Sequence, residues 1–276
     1  MVGARRPQAT SLAAWRRRNL ALVAVGAVCG ALATQQQGLP QTVTTVLGLL
    51  GAVVLALAAL VQGTRLNAQR VRDRITARAA SETTKSAVCQ YLAGVPPYDG
   101  PNRDEALDSA LADITQKADG LAGEVILATP TPRPLPSISG VADYVTQRAR
   151  EQRSFHADRI AHHQRLERRW RAAETAATVV GAVLSAIGGA LSSSGLSAWV
   201  GVATTVAAAL AAHLASVQHG RIAASYGITV DALDRLLDRF DAAAASAANT
   251  AEFVTRVEAI LAKQNDSWVA MLAPQP

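Results

Sequence analysis

Aromatic side chains make up only 4% of the 276 residues and charged ones only 17%, although half of the chain is apolar. The apolar content is therefore mostly Ala, Val and Leu, which lipid-facing and closely packed helices accept. Cysteine is nearly absent. Cys29 sits in an apolar run and Cys89 in a polar helix, which argues against an internal disulfide and a cysteine-built metal site. No Gly-rich phosphate loop, nucleophile elbow or paired-carboxylate site occurs, so neither enzyme chemistry nor a catalytic residue is indicated. His156, His162 and His163 lie among many arginines and read as part of a solvated helix. Metal binding needs converging ligands and little positive charge, so no metal and no cofactor are expected.

Charge is missing altogether over residues 20–64 and again over 175–220. "QQQGLP" at 35–40 and "SSSG" at 192–195 break each run near its middle. Each half then approaches the ~20 residues that a helix needs to cross hydrocarbon. The reading is four spans, at about 18–36, 42–62, 172–191 and 196–217. A buried soluble hairpin is one rival, but soluble cores rarely hold uncharged stretches this long with arginines at both outer ends. A cleaved signal peptide is another, with Arg16, Arg17 and Arg18 as its basic region and Ala31, Leu32 and Ala33 as its small-residue site. It accounts for neither the second apolar segment nor the later copy.

The net charge is +6, and the pI is about 9.9. Such a balance suits nucleic acid or an anionic membrane surface. The basic residues hug the apolar runs and aromatics are sparse, so nucleic acid is not an expected partner and the bilayer is. Arginines stand at the outer ends of both hairpins, and neither tip holds Lys or Arg. By the positive-inside rule both tips face outward, and both termini and the middle section are cytoplasmic, in a cell's inner membrane. Trp15, Trp170 and Trp199 fall near the predicted interfaces. Arg148, Arg150, Arg153, Arg159, Arg165, Arg168, Arg169 and Arg171 make a basic lead helix before the third span. Near a surface each arginine adds ~1 kcal/mol of attraction to anionic lipid.

The chain also repeats itself. A shift of 155 sets Trp15-Arg16 on Trp170-Arg171 and "VGAV" at 25–28 on "VGAV" at 180–183. With one more loop residue, Val61-Gln62 and Arg65 fall on Val217-Gln218 and Arg221. This reads as a tandem duplication of a two-span hairpin, with both copies in one orientation. The predicted organisation is a first unit at 1–128, a Pro-rich linker at 129–140 and a second unit at 141–276. Alternating prolines in "TPTPRPLPS" forbid helix there. Span two is expected to continue as a helix over 65–93, ending at the turn "GVPPYDGP". Asn102 with Glu105 opens a capping-box helix to about 118. A Gly- and Pro-free lead from 141 feeds span three, and further helices are expected over 229–248 and 250–272. Val230, Leu233, Leu236, Leu237 and Phe240 give the first of these an apolar face.

"ARAASETTKSAVCQYLAGVPPYDG" at 77–100 resembles the segment after the membrane hairpin in one branch of the SLATT family, the SMODS- and SLOG-associating two-transmembrane effectors. Arg78, Glu82, Lys85, Tyr91, Gly94 and Pro97 carry the likeness. The chain departs from that branch near Val88 and Cys89, where a Trp is usual. "YVTQRAREQRSFHADRIAHHQ" resembles the lead helix of another SLATT branch through Tyr144, Arg148, Gln152 and Phe155. "FVTRVEAILAKQNDSWVAML" resembles its tail through Val257, Glu258 and Trp268, with Gln264 where an acidic residue is usual. The resemblance implies a membrane effector of a bacterial conflict or anti-phage system, pore-forming or membrane-permeabilising, coupled to a nucleotide-signalling or SLOG-type partner protein. No sensor domain is visible in the chain, so the trigger would come from a partner or from the cytoplasmic helices.

Within the spans, Gly26 and Gly30, and Gly181, Ser185 and Gly189, are small residues four apart that suit close helix packing, although Ala/Gly-rich spans also contain such pairs by chance. Thr34, Gln35, Gln36, Thr44, Thr45, Thr204 and Thr205 are candidates to line a pore, with Ser192, Ser193 and Ser194 at its mouth. The plainer alternative, which we favour, is that the hydroxyls bond to their own helices and the Gln and Ser runs are wet loop. Glu174 and His213 are ionisable groups at membrane depth and candidates for a gate. The expected fold is all-α and integral to the membrane, with two transmembrane hairpins and long cytoplasmic helical extensions. One four-helix set is too thin to enclose a wide aqueous path, so a homo-oligomer is expected. The rival function is a non-conducting scaffold or sensor that recruits a cytoplasmic partner.

Overall fold

The computed structural model describes residues 7–34, 40–65, 68–121, 134–191, 194–242 and 244–272, and among these no strand occurs. The helices are α1 (Pro7–Ala33), α2 (Gln41–Arg65), α3 (Ala68–Ala93), α4 (Arg103–Lys117), α5 (Val141–Tyr144), α6 (Glu151–Leu191), α7 (Ser194–Val217), α8 (His219–Arg239) and α9 (Ala247–Leu272). A π-helical turn, Val145–Arg150, joins α5 to α6. Residues Val141–Leu191 therefore form one unbroken helix. The protein is all-α.

The chain divides into two compact units. The first comprises Met1–Asn67 and Gln164–His219, the second Ala68–His163 and Gly220–Pro276. In the first, α1 packs along both α2 and α7. Three helical stretches, Gln41–Thr64, Val141–Leu191 and Gly195–Arg239, hold segments long and apolar enough to cross a membrane, and at most 11% of those segments is buried in the protein. On α2, Val46, Leu49, Val53 and Leu60 are 56–64% exposed. Hiding a Leu or Val side chain from water gains ~1.5–3 kcal/mol. A row of apolar side chains left outward is stable in lipid, where every backbone polar group is satisfied within its helix.

The second unit buries what the first leaves open. Its core holds Cys89, Val95, Ile138, Tyr144, Val145, Ala149, Leu233, Phe253, Val254 and Val257. These side chains come from α3 and the turn after it, from the segment before α5, from α5 and the π-turn, and from α8 and α9. Gly94, at φ 64, ends α3 in the left-handed region, where a side chain would be strained. The amide of Val95 then donates to Gln90 O at 3.3 Å, which closes the helix end and turns Val95 into the core.

Several expectations need correction. Asn102 does stand at the start of α4, but its side chain makes no capping bond; the Asn102 carbonyl instead accepts from the Ala106 amide at 3.0 Å. The helix expected over 229–248 runs from His219 to Arg239. Gln218, at φ 52, separates it from α7. Tertiary packing ends it early despite the alanines that follow, because Phe240 leaves the helix to stack on Phe253 with ring centroids 3.9 Å apart. The junction at 66–67, where α2 was expected to run on into α3, lies outside the described residues, as do Gln35, Gln36, Ser192 and Ser193.

Candidate functional site

Three buried polar side chains of the second unit form one network. Arg148 meets Glu258 in a bidentate pair, Nε to Oε1 and a terminal guanidinium nitrogen to Oε2, both 2.9 Å. The Tyr144 hydroxyl donates to the same Oε1 at 2.8 Å. Arg148 is 5% exposed and Glu258 4%. Arg148 lies in the π-turn, whose buried residues are Val145, Arg148 and Ala149. Such a turn fits one extra residue into the helix and is frequent at functional positions. Burial alone would lower the Arg148 pKa, but the bond to Glu258 and its charge raise it, so the cation is held. Burial first, and then the Glu258 charge, push the Tyr144 phenol far up, so it stays a neutral donor. The network ties the continuous helix to α9.

Charged groups of α3 surround this pair. Glu82 bonds Lys85 at 2.7 Å. Burial raises the Glu82 pKa, but Lys85, Arg148 and Arg78 together outweigh it and hold the carboxyl below its usual range. Cys89 is buried, and desolvation raises its thiol, so it is a packed thiol rather than a reactive thiolate. Tyr91 joins α3 to α4. Its hydroxyl donates to Asp104 at 2.6 Å, its carbonyl accepts from Arg103 at 2.6 Å, and the Arg103 guanidinium lies over its ring at 4.0 Å. The structure therefore gathers Glu82, Lys85, Tyr144, Arg148 and Glu258 around one buried site. Tyr91 serves the neighbouring helix joint, and the Trp268 side chain lies outside the described residues.

His156 corrects the reading of a solvated histidine cluster. It is 3% exposed, because α8 and α9 cover that face of the long helix. His162 remains exposed. The His156 Nδ1 donates to Gln152 O at 2.5 Å, and the ring sits 5.2 Å from Tyr226. Burial lowers its pKa from the ordinary 6.5; the Gln152 carbonyl and the Gln264 side chain oppose this, Arg78 adds to it and Glu82 opposes it. The folded state thus takes up this proton less readily than the unfolded chain, so stability is present above 6.5 and is lost as pH falls through 6.5 toward the folded value. We expect the protection factors of α9 amides, which discount the intrinsic pH dependence of exchange, to fall as pH drops below 6.5. Glu82, Asp143 and Asp234, whose pKa values are lowered, contribute their losses only below the ordinary carboxylate values of 4.5 and 3.8. Gln264→Glu sets a carboxylate beside the ring and is expected to raise the His156 pKa and reduce the loss of stability below pH 6.5, read by NMR titration of the ring. An unchanged His156 titration in that variant would count against this account.

Sequence reading placed Arg153 in the basic lead helix but missed its pairing with Asp234. They form a half-exposed bidentate pair at 2.8 and 2.9 Å that ties α6 to α8. No local spacing reveals a pair 81 residues apart.

In the first unit the hydroxyls are satisfied locally. Thr34 donates to Ala31 O at 2.7 Å, Thr44 and Thr45 to Gln41 O at 2.9 Å, and Thr205 to Gly201 O at 2.8 Å. Thr204 bonds the carbonyls of Val200 and Gly201, both at 3.0 Å. The His213 ring lies 4.6 Å from Trp170. That tryptophan is one turn before Glu174. At the same end Asn19 donates to Gln62 Oε1 at 3.3 Å, joining α1 to α2. Gly26 is buried where α1 crosses α2, and a Cβ there would fall 2.7 Å from Leu55 Cγ. Gly181 is buried against Ala203 at 3.4 Å. Gly30 and Gly189 have open space where a Cβ would stand, and Ser185 is exposed. The α2 partner at the crossing, Gly51, was not singled out in the sequence because it lacks a small residue four away on either side; a Cβ on it would lie 3.2 Å from Gly26 O and Gly30 N.

Residues 144–268 match the family model described as SMODS and SLOG-associating 2TM effector domain 1, and residues 4–106 match one described as a protein of unknown function, DUF4231. No match to a curated protein or to a solved structure was found. The first of these segments opens on Tyr144 and includes Arg148 and Glu258, so the whole buried network lies inside it. Residues 144–268 are thus similar to a two-transmembrane effector domain, and one match in each half is consistent with SLATT-type units in tandem.

Proposed function

We propose that the protein is an oligomeric effector of the inner membrane that permeabilises the bilayer when its cytoplasmic helices receive a signal, in bacterial conflict or anti-phage defence. The observation that carries this reading is the effector-domain match over a segment whose apolar helices are almost wholly unburied in the single chain. Such surface calls for lipid, further copies, or both. The four-span arrangement uses α1, α2, the end of α6 and α7, with both termini cytoplasmic. It is supported by the absence of Lys and Arg from both tips. The unbroken helix Val141–Leu191 carries the buried ion pair near its start and an apolar stretch at its end. It is the natural route from a nucleotide-signalling or SLOG-type partner to the bilayer. Gln35, Gln36, Thr204, Thr205, Glu174 and His213 remain the candidate lining and gate.

One observation favours a non-conducting scaffold instead: every span threonine described above is satisfied by its own helix and needs no pore water. Reconstitution of the full chain into a planar bilayer decides between the two. Discrete conductance supports the effector. Stable oligomers without conductance, in the presence of the native trigger, overturn it in favour of the scaffold.

A further inference from the structure

Net positive charge is concentrated in the first unit. By sequence it holds ten arginines against two glutamates, a net charge of +8, which leaves −2 for the second unit. No Asp or Glu occurs anywhere before Asp73. The cations of α1 therefore have no counter-charge on their own hairpin. Of the two glutamates, Glu167 is engaged by Arg171 at 2.8 and 2.9 Å. Arg17 and Arg18 are exposed, and among the described residues neither pairs with a carboxylate. The Arg18 guanidinium lies 5.0 Å over the Trp15 ring.

Below this pair a groove descends between α1 and α2. Its upper part, about 380 Å³, is walled by Trp15, Arg18, Ala21, Leu22, Val25 and Val54. A second shallow hollow, lined by Ala24, Val25, Val28 and Cys29 and wholly apolar, adjoins it at Val25. A cation at the head, an aromatic at the rim and an apolar trough beneath are the complement of a phosphate, a glycerol backbone and an acyl chain. The second copy lacks this arrangement. Where Arg17 and Arg18 stand, the repeat has Ala172 and Ala173; Arg171 is neutralised by Glu167, and Trp170 faces His213.

We infer that the groove headed by Arg18 and Trp15 binds one acidic glycerophospholipid, with the phosphate on the arginines and an acyl chain along α1. The inference rests on the membrane reading above. Guanidinium and phosphate meet through parallel charge-assisted bonds, which a zwitterionic headgroup weakens with its own ammonium.

The test uses the full-length chain in detergent, titrated with dioleoyl phosphatidylglycerol or dioleoyl phosphatidylcholine and read by native mass spectrometry. Two exposed arginines near the headgroup predict at least ~10-fold tighter binding of the glycerol lipid. Arg18→Gln is expected to remove about 5-fold of that preference. Arg18→Lys should retain most of it, and Arg171→Gln should leave it unchanged. Inorganic phosphate at millimolar concentration should not displace the lipid, because it lacks the chain that fills the groove. Equal binding of the two lipids, an unaltered preference in Arg18→Gln, or displacement by inorganic phosphate each overturns the assignment. Flotation with pure phosphatidylcholine vesicles tests the membrane reading separately, since insertion there does not depend on Arg18.

Discussion

Glu258→Gln is expected to destabilise the second unit by about 3–5 kcal/mol, the usual result of removing one partner of a buried ion pair. Neutralising the carboxylate leaves the Arg148 guanidinium, 5% exposed, without its counter-charge in the packed interior. Arg148→Met is expected to cost a similar amount by stranding Glu258. Tyr144→Phe removes one hydrogen bond of 2.8 Å and is expected to cost only ~1 kcal/mol. The double variant Arg148→Met with Glu258→Leu should recover most of the loss, since a well-packed apolar pair of similar volume is often as stable as the ions it replaces. Chemical denaturation of the full chain in detergent, with hydrogen exchange across α9, gives all four values. A loss under ~1 kcal/mol in both single variants would show that water reaches the pair after all.

The same substitution bears on regulation. Under the proposed function, loosening α9 from the π-turn mimics the trigger, so Glu258→Gln should depolarise cells without the native signal. The double variant, stable again but without an ionic latch, separates instability from release. If it keeps the membrane quiet while Glu258→Gln does not, the opening of α9 is the relevant event.

Much of this was legible beforehand. The uncharged runs at 20–64 and 175–220 fixed where the apolar helices lie, because length and lack of charge are local properties. The family-like residues Tyr144, Arg148 and Glu258 were visible one by one, but not their meeting. Arg148 and Glu258 are 110 positions apart, and only the packing of α9 on the π-turn joins them. His156 was misjudged for the same reason. Its own helix is rich in arginine, and the face that covers it comes from elsewhere in the chain. The early end of α8 was hidden too. Alanines at 242–245 favour helix, yet the stacking of Phe240 on Phe253 overrides them.

The crossing of α1 and α2 gives the second large effect, and it is a question of space. A Cβ on Gly51 would stand 3.2 Å from the Gly26 carbonyl oxygen and from the Gly30 amide nitrogen, and 3.3 Å from Cys29 Cβ. Two of those atoms are backbone, so relief requires α1 itself to move away. In lipid no hydrophobic force draws helices together, so the contact that close approach allows is most of what holds the hairpin shut. Gly51→Leu is expected to cost at least ~3 kcal/mol, the upper end for overpacking, since the whole side chain must enter a space too tight for a methyl group. Gly26→Leu meets the Leu55 side chain at 2.7 Å as well as Gly51 O at 3.3 Å. Leu55 can swing outward, so the cost there should be smaller. Gly30→Leu, with nothing within 4 Å of its Cβ, should be close to neutral. The copy bears on this as well, since a shift of 156 puts Ala207 where Gly51 stands, and the second hairpin cannot close by the same glycine pair. Thermal unfolding of the three variants in one detergent, read from the loss of the monodisperse species, tests the order. Equal midpoints for Gly51→Leu and Gly30→Leu would mean that the two helices do not cross at Gly51.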